Sequence, residues 1–240
     1  MAPDGFTAWR CIALCRKGLC THVVRVAGGY AAMTQSENVR VWASRAFMDS
    51  TRIKGFTADP LPSGMGLGQM AELNEAGERM SAEHFPKEIF AKYPDKKEKK
   101  QAHLVLAAGV VVVSAACANV LRQFGLGHSS LYPIKLFQHD RKTPVEGEYF
   151  CLNIGERKEA FLRQHSQRVI EFGDGTLSMS PNLQDDEVAV GPAALEGSDL
   201  WVSPPLNRIF FLSDRLTQAL REAKMSRVFG FRTCRIVEAD

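Results

Sequence analysis

One pattern of hydrophobic and polar positions occurs twice in this chain, about a hundred residues apart. Residues 110–136 read VVVVSAACANVLRQFGLGHSSLYPIKL, and residues 209–236 read IFFLSDRLTQALREAKMSRVFGFRTCRI. Each copy has a run of bulky apolar residues, a serine, a stretch with helical periodicity and a second apolar segment. The pattern predicts a unit of strand, capped helix and strand that is used twice.

The two copies align at a shift of 99 positions, which places Ser213 on Ser114. Spacing of i, i+3, i+4 and i+7 is typical of the apolar stripe of a helix packed on one side. It occurs at Cys117, Val120, Leu121 and Phe124 and again at Leu216, Ala219, Leu220 and Ala223. We expect each serine to be the N-cap of its helix, both stripes to face one shared sheet, and Gly125 to end the first helix in the left-handed conformation.

The other patterns complete an α+β fold with mixed and antiparallel sheets. Alternation predicts a strand over residues 148–154, and Gly173-Asp174-Gly175 predicts the turn of a hairpin. Short helices are expected at residues 86–92 and 156–164. Sequential strands with few crossover helices favour α+β over a wound parallel sheet.

Composition and charge divide the chain into three parts. Residues 1–36 carry four basic side chains and one acidic side chain, whereas the remaining 204 residues carry 26 of each. We interpret residues 1–36 as a poorly structured extension, residues 37–100 as a variable subdomain that ends in the charge run PDKKEKK, and residues 101–240 as the α+β core. The neutral body lacks the basic field that phosphate binding needs, which disfavours a nucleic-acid partner.

The cysteines and the apolar segments bear on the compartment. Cys117, Cys151 and Cys234 fall in predicted core elements, where a free thiol is a small buried hydrophobe. The longest apolar run, residues 104–113, is too short to span a bilayer. We therefore expect no membrane partner and a reducing cytoplasm.

No motif in the chain indicates catalysis or cofactor binding. Ser114 and Ser213 stand between strand and helix, as the nucleophile of a G-x-S-x-G elbow does, but Val112 and Phe211 are too bulky for that turn. The cysteines at 11, 15 and 20 with the histidine at 22 lack the second ligand pair of a structural zinc site. We expect no catalytic residues, no cofactor and no metal.

Residues 104–164 and the segment LWVSPPLNRIFFLSDRLTQALREAK carry a family resemblance. They are similar to family eleven of the immunity proteins of bacterial polymorphic-toxin systems, formerly a domain of unknown function. The resemblance extends from about Trp42 to Cys234 and is strongest after Leu104. It implies a non-catalytic protein that binds and neutralises a cognate toxin domain delivered by, or shared with, sister cells.

Two polar connections are the candidates for toxin binding, because binding residues concentrate in loops. The first is acidic, and carboxylates there could fill the basic active site of a toxin that attacks nucleic acids. It contains Asp185, Asp186 and Glu187, whose side chains we expect to be exposed. The second lies inside the strongest part of the family resemblance and contains Asp140, Arg141, Lys142, Glu146 and Glu148.

Two other functional classes remain open at this point. One is a small enzyme or ligand-binding domain whose pocket no sequence motif indicates. The other is a scaffold or chaperone-like partner encoded in a secretion locus. The neighbouring gene discriminates between these classes, since a toxin-tipped reading frame favours immunity and a metabolic operon favours an enzyme.

Overall fold

The chain divides into two units, Met1–Val39 and Arg40–Asp240. The computed structural model describes residues 14–16, 19–26, 29–33 and 39–238, with side chains from residue 39 onward. In the first unit, β1 (Leu14–Arg16), β2 (Leu19–Val26) and β3 (Gly29–Met33) form an antiparallel sheet in that order. The rest of the extension predicted at residues 1–36 lies outside the described residues.

The second unit contains four α-helices and fourteen strands within its described residues 40–238, arranged mainly in two sheets. In chain order they are β4 (Val41–Ser44), β5 (Ile53–Lys54), β6 (Phe56–Thr57), α1 (Leu67–Glu75), β7 (Glu88–Ala91), β8 (Leu104–Ala107), β9 (Val110–Ser114), α2 (Ala115–Leu121), β10 (Ser130–Phe137), β11 (Tyr149–Asn153), β12 (Val169–Glu171), β13 (Leu177–Met179), β14 (Val188–Val190), β15 (Leu200–Trp201), β16 (Phe210–Ser213), α3 (Asp214–Glu222), α4 (Ser226–Phe229) and β17 (Phe231–Ile236). The class is α+β with mixed and antiparallel sheets, as the sequence predicts.

The repeated sequence pattern is a repeated structure. In the first copy, β9 and β10 both run antiparallel to β11, which lies between them. In the second copy, β16 and β17 flank β4 in the same way. Each copy is therefore a split β-α-β unit, in which an antiparallel strand from elsewhere in the chain separates two parallel strands.

The two serines cap their helices as predicted. The Ser114 hydroxyl accepts a hydrogen bond from the Cys117 N–H, and the Ser213 hydroxyl accepts one from the Leu216 N–H, both at 3.3 Å. Leu121 and Leu220, from the two predicted stripes, are both fully buried. The 99-residue register therefore identifies equivalent positions in three dimensions.

Two details of the repeat are wrong. The helices do not face one shared sheet. The strands of the first copy pair with β11 in a sheet of seven strands, and those of the second copy pair with β4 in a sheet of five. Gly125 does not end α2 in the left-handed conformation, since α2 ends at Leu121 and Gly125 is not among the residues with positive φ. What the two helices share is one hydrophobic core.

That central core takes side chains from both sheets and from α2, α3 and α4. Each sheet is also buried on its other face. Along β9, Val111 and Val113 enter the central core, while Val110 and Val112 enter a second core that α1 covers. The other face of the five-stranded sheet packs on β13 and on loops. Burial on both faces explains the uninterrupted valine run of β9.

The seven-stranded sheet curls until its two edges meet. Its order is β5-β8-β9-β11-β10-β7-β6, so the edge strands β5 and β6 are separated in sequence by Gly55 alone. The Gly55 carbonyl accepts a hydrogen bond from the Lys92 N–H at 2.8 Å. A Cβ at position 55 would lie 2.6 Å from Cε2 of Tyr93, so a larger residue there would require the exposed Tyr93 ring to move.

Two predicted helices are wrong. Residues 88–91 form β7, which pairs in parallel with the second half of β10. Residues 156–164 are extended, with a 3₁₀ turn at Arg163–His165, because Arg157 bridges to Val202 and Phe161 bridges to Val190. The predicted hairpin and the strand near residues 148–154 are present as β12-β13 and β11. Backbone pairing with distant strands overrides local helical periodicity in both wrong cases.

Strands that precede the charge run pair with strands that follow it. β4 is the central strand of the five-stranded sheet, and β7 joins the seven-stranded sheet beside β10. Glu98, within the charge run, is buried and bonds with Lys96 and Gln101. Among the described residues, no helix combines the length and apolarity needed to cross a bilayer.

Asp199 links the two copies of the repeat. Its carboxylate accepts hydrogen bonds from Ser213, from Arg215 (2.6 Å) and from the Gly125 N–H (2.8 Å), which follows the first helix. Its own N–H donates to the Gly125 carbonyl at 2.6 Å. Burial alone would raise the pKa of Asp199, but the bonds from Arg215, Ser213 and Gly125 lower it below its ordinary value. The carboxylate is therefore ionised and fully bonded, although it is only 1% exposed.

We predict that Asp199→Ala lowers the free energy of unfolding by roughly 1–3 kcal/mol, because it removes the buried carboxylate that accepts charge-assisted bonds from Ser213, Arg215 and the Gly125 N–H. Urea unfolding at neutral pH measures this difference. Since folding lowers the Asp199 pKa, its stabilisation is present above the unfolded pKa of about 4 and is lost as the pH falls further. The difference between wild type and variant should therefore shrink in acid.

Glu222→Ala is the control, since Glu222 is an exposed residue of the same helix as Arg215. It should change the free energy of unfolding by less than about 0.5 kcal/mol. Equal effects of the two substitutions, or an Asp199→Ala difference that stays constant in acid, would contradict the linking role.

A second prediction concerns residues 1–36. Deleting them should leave the melting temperature nearly unchanged, because the Arg40–Asp240 unit contains its own three hydrophobic cores. Calorimetry of the full chain and of the shortened chain tests this. A drop of more than about 5 °C, on the order of 1 kcal/mol for a domain of this size, would mean that these residues stabilise the second unit.

Candidate partner-binding site

An open groove of about 880 Å³ lies beside the connection between β10 and β11. Its walls are largely apolar. They include Phe85, Ile134, Leu136, Pro144, Tyr149 and Phe150. The volume is in the range of roughly 300–1,000 Å³ that is typical of ligand pockets. An apolar groove of this size on the surface is a candidate for binding another molecule.

The groove arises from the pairing of β10. Residues 130–134 of this strand pair with β11, and residues 135–137 pair with β7. Along the strand, Ile134 and Leu136 are buried in the core beneath, while Pro133 and Lys135 are exposed. The alternation follows the period of two of a strand, so Pro133 and Lys135 lie on the exposed face of β10 and Ile134 and Leu136 on its buried face.

Five charged side chains line the groove. All five are exposed, and they are Lys87, Lys135, Lys142, Glu88 and Glu148. Within residues 39–238, none of the five forms an ion pair. These charges are therefore available to a partner. The three lysines outnumber the two glutamates, so the groove has one excess positive charge.

Asp140 and Arg141 stabilise the connection itself. The Asp140 carboxylate accepts from the Thr143 hydroxyl (2.6 Å) and from the N–H groups of Lys142 and Thr143 (both 2.9 Å). These bonds, led by that from the Thr143 hydroxyl, lower the Asp140 pKa to about 2. The Arg141 guanidinium pairs with Asp59 and lies 3.9 Å from the centre of the Phe90 ring. Both side chains have roles in the fold, so Lys142 is the residue of this trio that is free for binding.

Glu146 and Glu148 contribute backbone bonds and leave their carboxylates in solvent. The Glu146 carbonyl accepts from the Tyr149 hydroxyl at 2.6 Å, and the Glu148 carbonyl accepts from the Ala115 N–H at 2.8 Å. Only Glu148 of the two lines the groove. The structure therefore brings Lys142 and Glu148 together at one surface and places Glu146 next to it.

The acidic loop has a different position. Asp185 accepts from the Thr233 N–H (2.9 Å), and Asp186, at φ 63°, accepts from the Thr233 hydroxyl (2.8 Å). Glu187 is buried, pairs with Arg168 and accepts from the Gln184 N–H. The expectation that all three side chains are exposed is therefore wrong for Glu187, since its carboxylate joins β14 to neighbouring loops.

Each capping serine also bonds to a side chain from the preceding segment. The Ser114 oxygen lies 2.8 Å from Nδ1 of His103, and Ser213 bonds to Asp199. A serine beside a histidine is the start of a hydrolytic constellation. However, Ser114 is only 7% exposed and its oxygen already accepts from a helix N–H, so the contact serves capping.

The thiols of the second unit are buried, as predicted for Cys117, Cys151 and Cys234. Burial raises the pKa of Cys117 to about 12 and raises that of the other two as well. These cysteines are therefore neutral apolar side chains at physiological pH. In the part of the chain with described side chains, no three His, Cys, Asp or Glu residues are grouped as metal ligands.

Comparison with known protein families finds no matching family, and comparison with curated proteins finds no matching relative. The case for a function therefore depends on the groove and on the residues that line it.

Sequence reasoning missed most of the groove. Lys87 and Glu88 lie in the segment 86–92, where the sequence predicts a helix, and Phe85 immediately precedes it. Lys135 falls within the second apolar segment of the first repeat copy. Its alternation with Ile134 and Leu136 indicates an exposed position, but the parallel pairing that brings Lys87 and Glu88 beside it has no local signal.

We predict that Glu187→Ala lowers the free energy of unfolding by roughly 1–3 kcal/mol, because it removes the buried carboxylate that accepts from the Gln184 N–H and pairs with Arg168. The matched control is Glu159→Ala, at an exposed glutamate. Chemical denaturation of the two variants measures the difference. If Glu187→Ala unfolds at the same denaturant concentration as the control, the Glu187 contacts do not stabilise this loop.

Proposed function

We propose that this protein is a non-catalytic immunity protein, which binds and neutralises a cognate bacterial toxin domain in the cytoplasm. The observation that carries this proposal is the open apolar groove at β10 with its unpaired charges. The groove lies within residues 82–150, so that it overlaps the segment 104–164 in which the family resemblance is strongest. Binding to a toxin, in competition between bacteria, requires a recognition surface and no chemistry of its own.

The surroundings of the groove suit a protein partner. Its apolar walls can take a hydrophobic anchor residue, which is how the centre of an interface supplies most of its binding energy. The charges at Lys87, Lys135, Lys142, Glu88 and Glu148 correspond to a polar rim, which directs encounter and orientation more than affinity.

The charge balance favours a particular kind of toxin segment. Three lysines against two glutamates favour an apolar anchor with acidic neighbours. The acidic loop at residues 185–187 supports a basic partner less well, because Asp185, Asp186 and Glu187 all bond within the protein. We therefore place recognition at the groove and the adjacent connection Asp140–Glu148.

The direct test uses the toxin domain encoded beside this gene. Co-expression should protect cells from that toxin, and the purified proteins should elute as a stoichiometric complex in size-exclusion chromatography. Absence of both protection and complex formation would reject the immunity function. Protection without a complex would reject neutralisation by binding.

The groove is tested by changing its rim and its interior separately. Reversing two rim charges in Lys135→Glu/Lys142→Glu should slow association at low salt and have less effect at high salt, because screening weakens rim electrostatics. Ala82→Trp introduces a large side chain at an exposed position of the groove. It should raise the dissociation constant at least tenfold, about 1.4 kcal/mol. Surface plasmon resonance measures both quantities.

The matched control is Lys97→Glu/Lys100→Glu, which makes the same change of net charge at two exposed lysines of the charge run. It should leave the association rate much closer to that of wild type. Faster association of the Lys135/Lys142 variant would mean that the toxin presents a basic segment. Unchanged binding by all the variants would place the interface elsewhere.

A further inference from the structure

A second, smaller cleft of about 350 Å³ lies at the C-terminal end of α1. The cleft and the groove at β10 have no lining residue in common. One side of the cleft is apolar. It includes Phe47, Met48, Ile53, Leu106 and Val111. Its volume suits a small molecule rather than a protein segment.

Glu75 supplies a negative charge at this cleft. It is the last residue of α1, and it is only partly exposed. Desolvation raises the Glu75 pKa above its ordinary value, although the nearby Arg208 charge acts in the opposite direction. Among the described residues, no side chain forms a hydrogen bond or an ion pair with this carboxylate. The end of a helix also favours a positive group, because its carbonyls point outward.

Arg208 and Lys54 supply positive charges at the same cleft. Arg208 precedes β16 with φ at 61°, and it is close enough to Glu75 to influence that carboxyl group. The two residues nevertheless form no ion pair, although both lie in the described part of the chain. The Lys54 ammonium donates to the Thr51 carbonyl at 3.1 Å and keeps two further hydrogens for another acceptor.

The end of α1 is held in place by a buried amide pair. Nδ2 of Asn153 donates to Oδ1 of Asn74 at 2.8 Å, and Nδ2 of Asn74 donates to the Leu152 carbonyl at 3.1 Å. Asn74 immediately precedes Glu75, so this network fixes the helix turn that carries the carboxylate. Such fixed polar groups reduce the ordering cost of binding a ligand.

We propose that this cleft binds a small zwitterion with an apolar side chain, of the α-amino acid class. The ligand ammonium would bond to the Glu75 carboxylate, and the ligand carboxylate would bond to Arg208 and Lys54. The ligand side chain would contact the apolar side near Phe47 and Leu106. A separated carboxylate and guanidinium above an apolar surface match the three parts of such a molecule.

Titration calorimetry of the full chain with leucine, methionine and phenylalanine tests this proposal. At least one of the three should bind saturably with a dissociation constant in the millimolar range or below. The N-acetyl derivative lacks the ammonium, and the amide lacks the carboxylate. Each should therefore bind at least about tenfold more weakly, which corresponds to the loss of one charge-assisted bond.

Two pairs of variants locate the site. Glu75→Gln and Arg208→Gln should each weaken binding about tenfold or more. Glu222→Gln and Arg79→Gln are the controls, because both are exposed and neither lines the cleft. Their affinities should equal that of wild type. Circular dichroism spectra and melting curves would confirm that all four variants fold.

Three results would overturn the proposal. One is the absence of saturable binding by all three amino acids at millimolar concentrations. Another is that the acetylated and amidated derivatives bind as tightly as the parent amino acid, which would mean that the cleft recognises only the apolar side chain. The third is that the Glu75→Gln and Arg208→Gln variants bind the amino acid as tightly as wild type, which would place binding elsewhere. These outcomes are independent of whether the protein neutralises a toxin.

Discussion

The carboxylate of Asp199 joins the two copies of the split β-α-β unit, and both sheets are positioned around that junction. It bonds to the backbone just after α2 and to two residues at the start of α3, so the two helix termini cannot separate without breaking several bonds to one buried charge. Directional bonds of this kind fix orientation, whereas apolar packing alone tolerates sliding. The central core between the helices and the sheets is therefore organised by a polar contact at its margin.

The closure of the seven-stranded sheet restricts how a partner can bind. A free strand edge offers a row of N–H and C=O groups to another chain. Here the segment Ile53–Thr57 covers both edges, because its first half pairs with β8 and its second half pairs with β7. Recognition through this sheet would therefore use side chains on its surface, as in the groove at β10, rather than the addition of a strand.

What could be predicted from the sequence depended on local signals. The repeat, the two capping serines and the buried leucines follow from periodicity within about thirty residues. The membership of β9 and β16 in different sheets does not, because β11 and β4 decide it from far along the chain. The same limit explains β7, whose four residues read equally well as a helix turn.

The candidate sites divide in the same way. Lys142 and Glu148 were identified because they lie in a polar loop within the resembling segment, and the structure places both at the groove. The sequence around Glu187 indicates an exposed loop, because Asp185 and Asp186 precede it, but the Glu187 side chain is buried. Its burial depends on Arg168 and on the Gln184 N–H, contacts that composition does not reveal. Lys87 is a candidate only because it lines the groove at β10. Glu75 and Arg208 are candidates only because both line the cleft at α1.

The central place of β4 in the five-stranded sheet has a consequence for biosynthesis. Val41–Ser44 is the earliest strand of the second unit to be made, and all four of its residues are buried. Its partners β16 and β17 lie at residues 210–236, so it cannot pair until nearly the whole chain has been translated. During that interval an apolar strand is exposed to other nascent chains and to chaperones. Loss of residues 210–240 would therefore leave β4 without both of its neighbours.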